Sequence, residues 1–384
     1  MTPTTSYYPH KTTSDLRASL VLFQLLSFPF FVRIALFAWR LIDFFRIPLS
    51  PFIRLTGYYQ FCAGKDVTSC TEITSRMADF KVKSVLDYAN EHSENETDFD
   101  QNTSAILQTI RAAAKSNVYP FAVLKPTAIG SFLLFEKKSN GISFNDAEVI
   151  AWKQIKSRLE SCASLAAKSG IVLMVDAEES WIQLGVDALV LPVLKRFNTE
   201  RVVVAITLQF YLKGTFDTYK QLIDDASQYS LGVKLVRGAY IEKENKRAKS
   251  LGISSPVCDT KAQTDNQYRQ ALALGLENLP KHLCIIATHN EPDIQWVTQS
   301  CKQNNILLNH KNLWFSQLYG MRDYISFSLA SLGVNVFKYV PFGPLRQSIP
   351  YLMRRAIENS SVKSQTTLEK KMLKEEIARR KTNA

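Results

Sequence analysis

Several chemistries are missing from this sequence. Its six cysteines (Cys62, Cys70, Cys162, Cys258, Cys284 and Cys301) form no CxxC pair. In a chain of 384 residues they read as ordinary buried or surface thiols of a reducing compartment. The five histidines form neither HExxH nor HxH, which argues against a metal site. No GxGxxG follows an apolar run, which counts against a dinucleotide-binding Rossmann unit. Neither a serine nor a cysteine sits in a nucleophile elbow, so acyl hydrolysis has no carrier. Zinc-finger spacing, basic repeats and basic–aromatic RNA motifs are absent, which makes nucleic acid a weak candidate partner. There is also no clean membrane span. The apolar run Ala18–Val32 contains Pro29 and is interrupted beyond it by Arg33, Arg40, Asp43 and Arg46, whereas a spanning helix needs roughly 20 apolar residues. Neither a secretory signal nor an Arg-rich, acid-free transit peptide of the usual kind is visible at the start.

The chain does hold ample apolar material, 46% of its residues, and a net charge of +12 with a pI near 9.3. An excess of cations can serve an anionic lipid surface or an anionic substrate. Residues 1–60 read as an N-terminal helical segment. It either lies on a membrane as a basic, aromatic, amphipathic element or packs on the main domain as a helix pair. Beyond it, short β-rich runs alternate with longer amphipathic stretches. The runs are 82–88, 119–125, 171–178, 201–209, 232–238, 283–289, 312–317 and 334–340. Eight strands alternating with helices imply right-handed βαβ units and a parallel sheet, closed as a distorted (β/α)8 barrel over residues 61–384. The acidic stretch 91–110 reads as a surface insertion or helix lead-in. Residues 367–381 read as a final helix over the barrel mouth.

Chemistry in such a barrel collects where strands end. The second to sixth strands end at Lys125, Asp176, Gln209, Arg237–Tyr240 and Thr288–Asn290. Leu318 follows the seventh, and Tyr339 closes the eighth. After Tyr339 comes a Gly/Pro turn and a helix expected to open at Pro350, carrying Tyr351, Arg354, Arg355 and Glu358. Two adjacent guanidinium forks suit a carboxylate, with Lys125 as a third cation. Lys234 and Arg237 can face a second anion, and the small Gly238 and Ala239 let a ligand approach the backbone. A small acid beside a phosphorylated cofactor is the reading these residues allow.

The segments KLVRGAYIEKE (234–244), ATHNE (287–291), LMVDAEE (173–179), YLKGT (211–215), FCAGKD (61–66) and KYVPFGP…PYLMRRAIENS together resemble the proline dehydrogenase family, most closely its eukaryotic mitochondrial branch. The resemblance runs from about Phe61 to the C-terminal helix. It implies a barrel that binds FAD without a Rossmann domain. It also implies oxidation of L-proline to Δ1-pyrroline-5-carboxylate by hydride transfer from proline C5 to flavin N5, with electrons passed to a membrane quinone. It further implies a mitochondrial location, on the matrix side of the inner membrane.

Carried over residue by residue, Arg354 and Arg355 hold the proline carboxylate with Lys125. Tyr339, Tyr351 and Leu318 wall the ring, and Asp176 orders the cations. Tyr240 lies beside the flavin, and Glu358 pairs with a cation or the ribityl chain. Gln209, Lys234, Arg237, Gly238, Ala239, Lys261, Thr288 and His289 hold FAD. Tyr339 stands where hydroxyproline dehydrogenases carry a smaller residue, so the resemblance implies a preference for proline over its 4-hydroxyl derivative. Phe342, Gln347, Lys65 and Lys234 depart from residues common in relatives, and none of these departures removes a residue the chemistry needs; Lys234 keeps the charge of an arginine but loses its fork. The other readings are a hydroxyproline dehydrogenase, a non-catalytic sensor that binds an amino acid or flavin, and a membrane-associated structural protein.

Overall fold

The computed structural model describes residues 6–44, 57–89, 95–361 and 363–382. The side chains of Arg40, Asp43 and Glu358 lie outside the described set, as do Arg46 and residues 91–94 of the acidic stretch.

All eight expected strands form, as β1 (Val82–Tyr88), β2 (Phe121–Leu124), β3 (Val172–Val175), β4 (Val204–Gln209), β5 (Gly232–Val236), β6 (Leu283–Ala287), β7 (Leu313–Leu318) and β8 (Val336–Phe342). They make one sheet in the order β1-β8-β7-β6-β5-β4-β3-β2, and each pairing with a described register is parallel. This is the cyclic strand order of a (β/α)8 barrel. The strands are rich in Val, Ile, Leu and Phe and almost wholly buried, as parallel strands covered on both faces must be.

Helix starts follow local chemistry. Asn145, Thr260 and Asp66 each close a capping box before a helix. The acidic stretch is largely helix rather than solvated loop. Asn95 accepts from the Asp98 amide and opens Glu96–Ala114, whose apolar positions Phe99, Ile106 and Ile110 are buried.

One boundary differs from expectation. The helix bearing Arg354 and Arg355 does not open at Pro350; it runs Leu345–Ser361 with Pro350 inside it. A proline within the second turn has no N–H to donate to the carbonyl four residues back, and its ring crowds that carbonyl, so the turn before it needs other support. The opening turn is held by the Ser348 amide on Pro344 O at 3.0 Å and by the Ser348 hydroxyl on Gly343 O and Pro344 O at 3.3 and 3.2 Å. The final helix runs Lys363–Thr382, longer at both ends than the apolar spacing marks.

The chain divides into two compact units, one of residues 1–91 with 317–384 and one of residues 92–316. The core of the second is built on β2–β6. In the first, β1 pairs with β8, and Gly64 bridges Phe342 in the FCAGKD segment. The N-terminal run is a bent pair of helices, Thr13–Leu26 and Pro29–Phe44. Phe23, Leu26 and Val32 are buried in a cluster with Tyr8, Tyr58, Phe61, Tyr351 and Leu373. Among the described residues, no single helix is long and apolar enough to cross a membrane.

Candidate active site

In the unit of residues 92–316, the strand ends carry an interlocked polar set. The Lys234 ammonium, on buried β5, lies 2.5 Å from Asp176 Oδ1 just beyond β3. Arg237 leaves β5 with its guanidinium held on three sides. It is 2.9 Å from Asp265 Oδ1, 2.6 Å from Asp293 Oδ2 and 3.4 Å from the Thr288 hydroxyl, and it stacks over the Tyr268 ring at 4.5 Å. Lys261 pairs with Asp265, and Arg269 with Asp293. Around Arg237 three cations therefore face two carboxylates, which leaves one net positive charge.

The turn after Arg237 has backbone only glycine can take. Gly238 sits at φ +127°, and a Cβ there would fall 1.6 Å from Tyr211 Cδ1. Ala239 beside it is exposed, and its amide donates to Gln209 Oε1 at 3.3 Å. Gln209 in turn donates to the Glu178 carbonyl at 2.7 Å. Thr288 is buried and His289 half-buried after β6, where Asn290 caps the next helix by accepting from the Asp293 amide. Lys261, by contrast, is exposed on a helix and is held to its own i+4 neighbour. Lys125 sits at the start of the short helix Pro126–Ile129, half-buried.

Glu178 is the residue the strand-end reading passed over. It is 5% exposed, and its carboxylate accepts from the Thr127 hydroxyl and amide at 2.7 and 3.3 Å and from the Tyr240 hydroxyl at 3.2 Å. Burial pushes its carboxyl up to about 7, and neighbouring Glu179 and Asp176 add to the rise. Asp265 and Asp293 were missed as well. The signal for Asp265 was its place one turn after Lys261, and for Asp293 its place three residues after Asn290.

In the unit formed by residues 1–91 and 317–384, Tyr339 and Tyr351 are buried, Arg355 is buried over the Tyr351 ring at 5.2 Å, and Arg354 and Leu318 are half-buried. Tyr339 shares the face of β8 that carries Phe337 and Pro341. Lys338 points to the other face, fully buried. Its ammonium lies 2.8 Å from Asp323 Oδ1 and donates to Met321 O at 2.6 Å. Asp323 is also 3.5 Å from both His10 Nε2 and Lys11 Nζ. Close by, Glu369 accepts from the Tyr8 hydroxyl at 3.0 Å and from the Arg322 amide at 3.2 Å. Burial raises the Asp323 carboxyl, but Lys338, Lys11 and His10 together outweigh it and hold it well below the carboxylate range. No sequence motif announced this cluster.

The strand order defines the class, a (β/α)8 protein. The proline dehydrogenase family model matches residues 70–368, and the chain belongs to that family. It is 34% identical over 322 residues to the carbapenem antibiotics biosynthesis protein CarD of Pectobacterium carotovorum subsp. carotovorum, covering 83% of each. It is 31% identical over 379 residues to the mitochondrial proline dehydrogenase 1 of Dictyostelium discoideum, covering 87% of this chain and 66% of that one. The human mitochondrial proline dehydrogenase 1 is 35% identical over 242 residues, of which the match covers 40%. The fold is similar to that of proline utilization A from Bdellovibrio bacteriovorus, with a TM-score of 0.72 at 22% identity, covering 80% of this chain and 33% of that one. The chain thus spans two thirds or less of these mitochondrial relatives and a third of the solved relative.

Proposed function

We propose that this chain oxidises L-proline to Δ1-pyrroline-5-carboxylate with FAD as its cofactor. The observation that carries the reading is family membership across residues 70–368, a span that includes every residue the resemblance assigns to the site. Arg354 and Arg355 bind the proline carboxylate, with Lys125 as a further cation. Tyr339, Tyr351 and Leu318 exclude water from the ring and crowd a 4-hydroxyl. Glu358 braces a cation.

The donors in the unit of residues 92–316 fit an extended, anionic cofactor. Arg237 is oriented by three partners and its surroundings keep one positive charge, while Gly238, with the Tyr211 ring where a Cβ would lie, lets the turn that carries Ala239 and Tyr240 pass close against Tyr211. Gln209, Lys234, Arg237, Gly238, Ala239, Lys261, Thr288 and His289 would hold the cofactor, with Tyr240 at its side and Asp176 fixing Lys234. When bound, the flavin accepts the hydride that leaves proline C5.

The named relatives support a mitochondrial location, and an inner-membrane quinone is the proposed electron acceptor. Peripheral membrane contact is supported by Phe28, Phe30, Phe31, Ile34 and Phe37, all exposed on or beside the second N-terminal helix of a chain carrying +12 charge.

The test is an absorbance spectrum of the purified protein, before and after anaerobic L-proline. A flavin band near ~450 nm that bleaches with proline, and much less with trans-4-hydroxy-L-proline, is expected. A protein that takes up no flavin even when incubated with FAD would return the non-catalytic sensor reading.

A further inference from the structure

We infer that Glu178 is a positioning residue for this site, a carboxylate that clasps the Tyr240 hydroxyl and whose own protonation sets how tightly the clasp holds. The inference rests on the proposed proline oxidation only in placing Tyr240 beside the ligands. The clasp itself is geometry.

Four consecutive strand ends meet on this one residue. Thr127, just beyond β2, gives it a hydroxyl and an amide. Glu178 itself follows β3. Gln209, the last residue of β4, donates to its carbonyl and accepts from Ala239, beyond β5. Tyr240, next in the chain, donates to its carboxylate. The Glu178 amide is satisfied by Gln183 Oε1 at 2.9 Å, so the loop has little slack.

The donors described on the carboxylate, from Thr127 and Tyr240, are neutral. The charged groups nearby have their own partners: Asp176 with Lys234, and Glu179 with Lys243 at 2.6 Å. Lys125 begins the turn that carries Thr127. Charge-assisted hydrogen bonds are roughly twice as strong as neutral ones. Ionised Glu178 therefore grips Thr127 and Tyr240 firmly. The neutral acid must place its proton on one oxygen. Oε1 already accepts twice from Thr127, which leaves Oε2, and a proton there competes with the Tyr240 O–H for the space between them. The clasp loosens, and the direction of the Tyr240 hydrogen bond reverses. Burial moves this change to near pH 7, where an exposed glutamate would already be fully charged.

The experiment compares wild type, Glu178→Gln, Thr127→Val and Tyr240→Phe between pH 6 and 8. In wild type the proline KM should rise about 3- to 10-fold from pH 8 to pH 6 beyond the change seen in Tyr240→Phe, with kcat changing less. Glu178→Gln should hold the pH 6 value throughout, and Thr127→Val, which removes a donor to the ionised form, should move the midpoint upward. Infrared difference spectra give a readout independent of turnover. A protonated-carboxyl stretch should weaken from pH 6 to pH 8, and Glu178→Gln should remove the part of it with a midpoint near 7, leaving the part that belongs to Asp187, whose burial pushes it up to about 6. The inference is overturned if Glu178→Gln keeps the wild-type pH profile, or if no carboxyl band titrates. A protein that fails to bleach with proline at any pH while the band still titrates would remove the proline reading and leave the clasp standing.

Discussion

Two buried carboxylates in this chain have opposite surroundings. Asp323 meets Lys338, Lys11 and His10, all with side chains almost sealed from solvent, and its carboxyl is held far below neutrality. Glu178 meets hydroxyls and an amide, and burial lifts it to about 7. The first keeps its charge well below the usual carboxylate range, so at neutral pH it fixes a position and carries no signal. The second sits where a small change in surroundings changes its charge. A group that must only hold the fold is surrounded by opposite charge. A group whose protonation can be used is left with neutral partners.

The comparison is broken most forcefully at Lys338. Lys338→Met would leave Asp323 buried opposite Lys11 and His10 alone. It should cost about 3–5 kcal/mol of stability, read by chemical denaturation. Adding Asp323→Asn should recover part of that loss. If Lys338→Met melts like wild type, the cluster is not a folding device.

The working cations should show the reverse pattern. Arg354→Met and Arg355→Met are each expected to raise the proline KM by the equivalent of about 1.5–3 kcal/mol while leaving denaturation midpoints nearly unchanged. An unchanged KM in both variants removes the carboxylate assignment. Tyr339→Ser should shift the ratio of kcat/KM for hydroxyproline over proline toward hydroxyproline, within about 1–3 kcal/mol. A fixed ratio means this tyrosine does not sort the two substrates.

The smallest effect is in the pH dependence of stability. Glu178 has its folded value raised from 4.5 to about 7, so the unfolded chain releases that proton first. Its contribution is present below about 4.5 and is lost as the pH climbs through 7. Glu376 is the opposite case. Burial raises it, but hydrogen bonds from Arg379, Ser6 and Arg380 hold it down at about 2, so its contribution is present above 4.5 and is lost as the pH falls toward 2. The difference in unfolding free energy between wild type and Glu178→Gln should therefore fall as the pH climbs from 4.5 to 7 and stay flat in the acid arm set by Glu376.

These contrasts also mark what could be read from sequence. The strands could be read because each is a short Val/Ile-rich run between helix-forming stretches, a local signal. Arg237, Gly238 and Thr288 could be read because they stand at strand ends within motifs. The Asp323 cluster could not. Its members come from the first dozen residues, β8 and the start of the helix Asp323–Ser331, and Tyr8 meets Glu369 across 361 positions of chain. Lys338 in an apolar strand looks like a misplaced charge until Asp323 is seen opposite it. Glu178 lay in plain view in VDAEE, but its character depends on Thr127 and Tyr240, 51 and 62 residues away. The Pro350 boundary failed for a different reason: a proline marks a helix start statistically, and here the preceding turn was already closed by Ser348.

Gly238 has a consequence for how this protein can change. Any side chain there would strike the Tyr211 ring, so an alanine would first need a smaller residue at 211. Yet the Tyr211 hydroxyl lies 3.3 Å from Glu244, a buried carboxylate that also accepts the Ser180 amide and hydroxyl at 2.7 Å each. Shrinking the tyrosine strips Glu244 of a donor before the glycine gains any freedom. Each single step is uphill, so a library sampling one substitution at a time should find position 238 closed. Clearing 211 and 244 together would still leave the φ of +127° that favours glycine, so the turn keeps its glycine.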